Sequence, residues 1–465
     1  MVFKALTIAG SDSGGGAGIQ ADLRTFHALK VYGLTVITAV TAQNTVEVRS
    51  VHPLPADFVR CQLEVVAYDI GFDSAKTGMI YGEDQVDAIA GFFQENPKPL
   101  VVDPVYRAAV GADLTTSRAY EALKRRLIPL ATVVTPNIDE ASILAGFKVE
   151  DLDDAIKAAE VIAEFGCEAV VVKGGHLKDD RVVDVVYRKG RIRFLESIRV
   201  EGGTHGAGCS FSAAITAYMA RGLSVDESIE KAKEFIIDAI RFSEPVGSGV
   251  KPVNPLATLY RDSERFKVLS MLEEALDRLE GLKGFYKLIP EVRSNLVMSL
   301  PYPRDLKDVA GYPSRIAPYK GGVKAFSKPE FGASMHLARA VLELQKLGFD
   351  VRSAINIGYS EGIVEACRRL GFRVGFYDRR EEPEDVKRVE GATIPWGVRR
   401  AVESIGGCRP DVIYHMGDWG KEPMMLVLGR DPFEVVGKLE AILKAIDYDR
   451  SRGASDTPGT YHRSS

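Results

Sequence analysis

The stretch FKALTIAGSDSGGGAGIQADLRTFHALK (3–30) decides the fold of the first half of the chain. FKALTIAG (3–10) is a short, nearly continuous apolar run, the pattern of a strand covered on both faces. GIQADLRTFHALK (18–30) carries its apolar residues at helical spacing. Between them five glycines fall within Gly10–Gly18, more than a tight turn needs. Strand, glycine-rich loop and helix in that order let a ligand reach the backbone, with free N–H groups at the helix start. The loop has neither the G-x-G-x-x-G spacing of dinucleotide folds nor a Walker A lysine, because Gly15 is followed by Gly16.

The same alternation continues outward. Strand candidates follow at LTVITAVTA (34–42), SAKTGM (74–79), PLVVDP (99–104), ATVVTP (131–136) and EAVVVKGG (168–175). Helical patterns intervene, among them DDAIKAAEVIAEF (153–165) and GCSFSAAITAYMARG (208–222). This predicts an α/β domain with a mostly parallel sheet covered on both faces. RVVDVVYRKGRIRFLES (181–197) reads instead as an antiparallel hairpin turning at Lys189-Gly190. Gly and Pro cluster in VGSGVKPVNPLATL (246–259), and the charged helical stretch 262–282 reads as a connector. A second, smaller α/β domain follows. The expected boundaries are 1–258, a linker 259–284, a second domain 285–448, and a polar tail 449–465 whose composition predicts disorder.

Bulk properties exclude several classes. The 465 residues carry 60 basic and 64 acidic side chains, a formal charge of −4, which lacks the basic footprint of a nucleic-acid binder. No apolar run approaches the roughly 18 residues of a membrane helix. MVFKALTIAG enters a strand directly, without the pattern of a secretion signal. The five cysteines are widely spaced with no CxxC, which argues for a reducing, cytoplasmic setting rather than disulfides or a thiolate metal site.

A second glycine-rich loop, Gly202 to Ser210 (GGTHGAGCS), also precedes an apolar helix. Gly206 and Gly208 permit a sharp turn, so that the N–H groups of Ala207, Gly208 and Cys209 converge as an anion hole for a transferred phosphoryl group. Cys209 lies in the first helical turn, where a thiol pKa is typically lowered. By itself it reads equally as a base toward a substrate hydroxyl or as a small packed residue. Asp103, Asn137 and Lys173 follow strands, and Glu140 lies one turn beyond Asn137, where open α/β sheets bind ligands. Asn137 also suits a helix cap. One carboxylate with waters is the usual protein share of a Mg²⁺ held by nucleotide phosphates. The two loops together favour phosphoryl transfer.

The runs ALTIAGSDSGGGAGIQADLRTFHALKVYGLTVITAVTAQNT, VVDPV, TPNIDEA, VVKGGH and THGAGCSFSAAI resemble hydroxymethylpyrimidine/phosphomethylpyrimidine kinase, a member of the ribokinase-like superfamily, over about residues 4–255. The resemblance implies a three-layer αβα domain and two successive phosphorylations of one substrate, with ATP and Mg²⁺. It assigns the pyrimidine to the Gly10 loop, Asp22, Gln43 and Met79, and ATP to Asn137 and Lys173. Metal would go to Glu140 and Asp103, and the anion hole to Gly206-Ala207-Gly208, with Cys209 where related kinases carry Asp. This chain departs from the family in having Ala207 for the usual Thr, and in the flap 106–111, where Arg107 is the candidate replacement for a basic residue. Pyridoxal is the rival substrate.

The second half is less legible. Arg304, Arg315, Lys320 and Lys324 fall in a Gly/Pro-punctuated stretch that suits a phosphorylated ligand or a plain solvated loop. His336 lies on an apolar helix, where packing is the commoner role. His415 and Asp418 are too few for a metal site. SRIAPYKGGVKAF, FGASMHLARAVLE, AINIGYSEGIVEACRRLGF, GATIPWGV and PDVIYHMGDWGKEPMMLVLG resemble the archaeal-type thiamin-phosphate synthase domain over about 290–445. The resemblance implies coupling of hydroxymethylpyrimidine diphosphate to hydroxyethylthiazole phosphate, with Arg315 and His336 at the positions tied to activity. It implies homodimers as well. The alternative is a pyridoxal-type kinase whose C-terminal domain senses thiamin phosphates without turnover.

Overall fold

The structure, a computed structural model, describes residues 2–453 apart from 109–110, 175–180 and 418–420. The chain forms two compact units, Met1–Leu259 and Tyr260–Ser465.

In the first unit β1 (Lys4–Asp12), β2 (Tyr32–Gln43), β3 (Val48–Pro53), β4 (Ser74–Thr77), β5 (Leu100–Val102), β6 (Val133–Val134), β7 (Ala169–Val172), β8 (Arg181–Arg188) and β9 (Arg191–Ile198) build one sheet, ordered β3-β2-β1-β4-β5-β6-β7-β8-β9. The six strands from β2 to β7 in that order are parallel, whereas β3, β8 and β9 join antiparallel. β4, β5 and β7 are buried at every residue because alternate side chains feed two different cores. Val170 and Val172 pack with Leu63, Phe92 and Ile162, whereas Ala169 and Val171 pack with Phe26, Phe211 and Ile236. Each buried valine contributes about 1.5–3 kcal/mol. This is the expected three-layer αβα arrangement. The β8–β9 hairpin turns at Lys189 (φ 51°) and Gly190 (φ 75°), the paired positive φ of a type I′ turn.

In the second unit β10 (Leu296–Ser299), β11 (Val309–Gly311), β14 (Glu330–Phe331), β15 (Ser353–Gly358), β16 (Val374–Phe376), β17 (Val412–His415) and β18 (Met424–Gly429) form a sheet ordered β14-β11-β10-β15-β18-β17-β16. The unit is α/β as expected, but strands and helices alternate only in part. Among the described residues β10 to β14 follow one another without an α-helix between them, as do β17 and β18, and every pairing except β16 with β17 is antiparallel. β12 (Ile316–Tyr319) and β13 (Gly322–Ala325) make a separate hairpin.

The helix Arg265–Gly281, expected as a connector, belongs to the second unit's core. Val268, Leu272, Ala275 and Leu279 recur at spacings of three or four and pack with Leu296, Ile355 and Val427. The Tyr312 hydroxyl donates to the Leu272 carbonyl at 2.7 Å. An apolar stripe of this width needs a partner, so the stretch cannot serve as a solvated strut. The last helix, Pro432–Gly453, runs into the polar tail; residues 454–465 lie outside the described residues. No helix among the described residues is long and apolar enough to cross a membrane.

Candidate active sites

A cavity of about 1070 Å³ in the first unit opens at the carboxyl ends of the parallel strands. Gly10 and Asp12 end β1, Gln43 ends β2, and Met79, Asp103, Asn137 and Lys173 follow β4, β5, β6 and β7. The sequence places most of its polar residues there because side chains within strands buried on both faces are mostly apolar; Lys76 on β4 is an exception that keeps its own buried partner.

The two glycine-rich loops meet on this cavity. Asp12 shapes the first loop: its Oδ1 accepts from the Gly14 N–H and its Oδ2 from the Ala17 N–H, each at 2.8 Å. His205 of the second loop lies 3.4 Å from the same Oδ2. Burial raises the Asp12 pKa, but the bonds from His205, Ala17 and Gly14 outweigh it and hold the carboxyl below its ordinary value. Thr204 to Ala207 forms a turn closed by the Ala207 N–H to Thr204 carbonyl bond at 3.0 Å. Gly206 sits at its third position with φ 79° and ψ 6°, the geometry that a type II turn gives to glycine. A Cβ on Gly206 would stand 1.9 Å from the Gly16 carbonyl oxygen. Only a glycine lets the loops approach this closely.

The helix Ala207–Ala220 starts from that turn. The Ala207 N–H is spent on Thr204, so the expected three-donor anion hole reduces to Gly208 and Cys209, whose N–H groups have no partner among the described residues. Lys173 Nζ and Asp103 Oδ2 lie 3.3 and 3.8 Å from where a Gly208 Cβ would be. Asp103 is buried, with Oδ1 accepting from Lys173 Nζ at 3.2 Å and Thr135 Oγ1 at 3.1 Å, and Oδ2 from Ser212 Oγ at 3.3 Å. Burial opposes the Lys173 charge, but Asp103 and Glu140 hold its pKa above the ordinary value. Asn137 caps the next helix: its side chain accepts from the Glu140 N–H, and Glu140 Oε2 accepts from the Asn137 N–H, both at 2.8 Å. Burial, against the pull of Lys173 and with the push of Asp103, brings Glu140 up to about 7.

Two sequence expectations are corrected here. The Cys209 thiol is not activated: burial pushes it up to about 12, Asp22 and Asp103 add to this, and Lys76 and the Gly18 backbone only oppose it. Desolvation and two carboxylates outweigh a helix-start field worth about 0.3–1 kcal/mol. Asp22 is not among the residues lining the cavity. Its side chain is fully enclosed, accepting from Lys76 Nζ at 2.9 Å and Thr7 Oγ1 at 2.6 Å. Gly10 and Met79 do pack together on the cavity, since a Gly10 Cβ would lie 2.8 Å from Met79 Sδ. Gln43 lines the same side, its Oε1 3.3 Å from Thr41 Oγ1. In the flap, Arg107 is exposed and paired with Asp113 at 2.5 Å, while 109–110 lie outside the described residues.

In the second unit Arg315 has φ 57° and donates to the Val292 carbonyl. His336 opens the helix Met335–Lys346. Desolvation by the surrounding chain lowers its pKa. The cations Arg379, Arg339, Arg315 and Lys421 add to this, and desolvation and charge together bring it to about 4. His415, buried at the end of β17, is brought to about 4 by burial, Arg379, His336 and Lys421. Its Nδ1 accepts from the Gly417 N–H at 3.1 Å. Lys320 and Lys324 instead stand over the Tyr319 ring, 5.3 and 5.8 Å from its centroid. Asp418 lies outside the described residues.

Sequence reasoning missed Asp12, His205, Lys76 and Arg379. A lysine inside the apolar run SAKTGM was the available signal for Lys76, because a charge in such a strand requires a buried partner. Arg379, in DRREEP, looks like any solvated charge run.

Comparison with known proteins joins the two halves. The chain matches the phosphomethylpyrimidine kinase family over residues 12–254 and thiamine-phosphate synthase ThiN over 271–441. It is 33% identical over 440 residues to the bifunctional thiamine biosynthesis protein ThiDN of Methanocaldococcus jannaschii, covering 94% of this chain and 98% of the relative. It is 42% identical over 259 residues to hydroxymethylpyrimidine/phosphomethylpyrimidine kinase of Bacillus subtilis, covering 55% of this chain and 96% of that protein. The pyridoxal kinase of Bacillus subtilis, solved as an ADP complex, superposes with a TM-score of 0.52 at 43% identity, covering 55% of this chain and 98% of that one. The chain therefore belongs to the family of bifunctional thiamin-biosynthesis proteins, with a ribokinase-like phosphomethylpyrimidine kinase domain followed by a thiamin-phosphate synthase domain.

Proposed function

We propose that the first unit transfers the terminal phosphoryl group of ATP to hydroxymethylpyrimidine and then to the resulting monophosphate. The observation that carries this is the meeting of the two glycine-rich loops beside the Asp103–Lys173 pair. The Gly208 and Cys209 N–H groups and Lys173 stabilise charge on the transferring phosphoryl, while the Gly10 loop, Gln43 and Met79 hold the pyrimidine. Gln43 suits an aminopyrimidine edge because its amide both donates and accepts. Cys209 stays a neutral thiol and positions rather than deprotonates the acceptor; a loose phosphoryl-transfer path needs little deprotonation. Asp103 and Glu140 both line the cavity, and no group of three metal-ligating side chains occurs among the described residues. That donor set fits Mg²⁺ held mainly by nucleotide phosphates, near Asp103 and Glu140. Asn137 shapes the ATP side through its cap.

In the second unit the thiazole nitrogen attacks the pyrimidine methylene carbon. A C–N bond forms, the C–O bond to the diphosphate breaks, and thiamin phosphate and pyrophosphate leave. Arg315 grips the departing diphosphate. His336, held neutral by desolvation and by its cationic neighbours, orients it. We further assign the protein to the cytoplasm as a homodimer.

The likeness to the pyridoxal kinase supports pyridoxal as a second substrate of the first unit. Comparing kcat/KM for hydroxymethylpyrimidine and pyridoxal decides between them. A value at least tenfold higher for the pyrimidine is expected, and a preference for pyridoxal overturns the assignment.

A further inference from the structure

Arg379 is the anomaly of the second unit. It is 6% exposed, yet no carboxylate pairs with it among the described residues, and its Nε has no hydrogen-bond partner. A buried guanidinium without a counter-charge costs several kcal/mol unless something else satisfies it. It lies in the short turn Arg379–Glu381 that follows β16, and β16 runs parallel to β17, so their carboxyl ends point the same way. β17 ends on His415, whose ring packs 5.1 Å from that of Tyr377, two residues before Arg379. Because Nδ1 of His415 accepts from Gly417, its neutral ring carries the proton on Nε2 and offers it as a donor. The Arg379 charge acts on both His415 and His336, and the Arg315 charge also acts on His336. Glu382, 7% exposed and directly after this turn, also has an Oε1 without a partner among the described residues. Asp378, which precedes Arg379 in the chain, is already occupied by Arg380. A ligand carrying both a phosphate and an amino group would satisfy the two orphaned side chains at once.

We propose that Arg379 and His415 form a phosphoryl-binding subsite of the second unit, joined to Arg315 and His336, that holds a phosphate group of a substrate. The subsite rests on the synthase reading given above. A guanidinium with no protein partner keeps its donors for the ligand's oxygens, and a neutral histidine beside it adds a donor without needing protonation. Arg379 is thus a binding residue kept unpaired at the expense of stability.

The test uses the full chain and three variants, Arg379→Met, Arg379→Lys and His415→Ala. Inorganic pyrophosphate is titrated calorimetrically, and coupling is assayed with hydroxymethylpyrimidine diphosphate supplied directly, so that the kinase step is bypassed. In Arg379→Met the pyrophosphate site of the second unit is expected to weaken by about tenfold or more. One substrate KM should rise similarly, with kinase turnover unchanged. A rise confined to the diphosphate assigns the subsite to that substrate, and one confined to the thiazole phosphate assigns it to the other. The melting temperature without ligand should hold or rise in Arg379→Met, because an unpaired buried charge has gone, whereas a purely structural arginine would lower it. Arg379→Lys, which keeps the charge without the fork, should fold and bind at intermediate strength. Identical pyrophosphate isotherms in the unmutated chain and all three variants overturn the inference. If the unmutated chain binds pyrophosphate through Arg379 but never couples, the synthase reading fails and the subsite stands.

Discussion

Gly206→Ala isolates the contact between the two glycine-rich loops. The added methyl would lie 1.9 Å from the Gly16 carbonyl oxygen, so one loop must retreat by about 1 Å. The backbone at φ 79° adds about 1–2 kcal/mol of strain for any residue with a Cβ. At about 2–4 °C per kcal/mol for a unit of this size, strain alone lowers the melting temperature by about 2–8 °C. Displacing phosphoryl-binding groups by 1 Å costs on the order of a hundredfold in kcat, or about 2.7 kcal/mol of activation free energy. Gly222→Ala is the control: it shares the positive φ, 87°, but its Cβ would meet nothing within 4 Å. Steady-state hydroxymethylpyrimidine phosphorylation and thermal melts on both variants separate strain from geometry. Gly222→Ala should lose stability and keep its kcat, whereas Gly206→Ala should lose both. A Gly206→Ala enzyme with kcat within threefold of the unmutated protein would refute the view that the loop contact builds the phosphoryl site.

Three further outcomes follow from buried charges. Lys76→Met leaves Asp22 enclosed and unpaired and should cost about 3–5 kcal/mol in denaturant unfolding, most of it recovered in the double variant Lys76→Met/Asp22→Leu; equal loss in the double variant would contradict the pairing. Glu140 titrates near 7 when folded against about 4.5 unfolded, so its folded form binds the proton more tightly. Its stabilising contribution is complete below about pH 4.5 and is lost as pH rises through 7; melting curves of Glu140→Gln should lack that decline, and parallel curves would remove the claim. At pH 8, iodoacetamide should modify the exposed Cys61 and Cys408 before Cys209, as read by peptide mass, and early labelling of Cys209 would restore an activated thiol.

Legibility differed between the halves for physical reasons. Runs such as AVVV and LVV announce a sheet covered on both faces, because a polar side chain at either is costly unless it finds a buried partner, as Lys76 does on β4. β3, Val48–Pro53, escaped notice since it is a partly exposed edge without that signature. In the second unit short strands such as LVMS are buried on both faces too, and burial does not encode whether the neighbour runs parallel or antiparallel. Gly206 and Gly208, singled out from a glycine-rich loop, and Asp103 and Lys173, singled out at strand ends, line one cavity because strand order converts chain position into proximity. What the sequence could not supply was electrostatic context. The Cys209 shift comes first from burial in the folded chain, with Asp22 and Asp103, distant in sequence, adding to it. The pairing of Asp22 with Lys76 emerges only when the helix Gly18–Ala28 and β4 fold together.

The most direct measurement is a one-pot reaction. Full-length protein, ATP, Mg²⁺, hydroxymethylpyrimidine and hydroxyethylthiazole phosphate are incubated, and products are followed by mass. Thiamin phosphate should form with the unmutated chain, and Arg315→Ala should halt at hydroxymethylpyrimidine diphosphate. Diphosphate accumulating without thiamin phosphate in the unmutated protein would contradict a catalytic second unit and leave it a binding module.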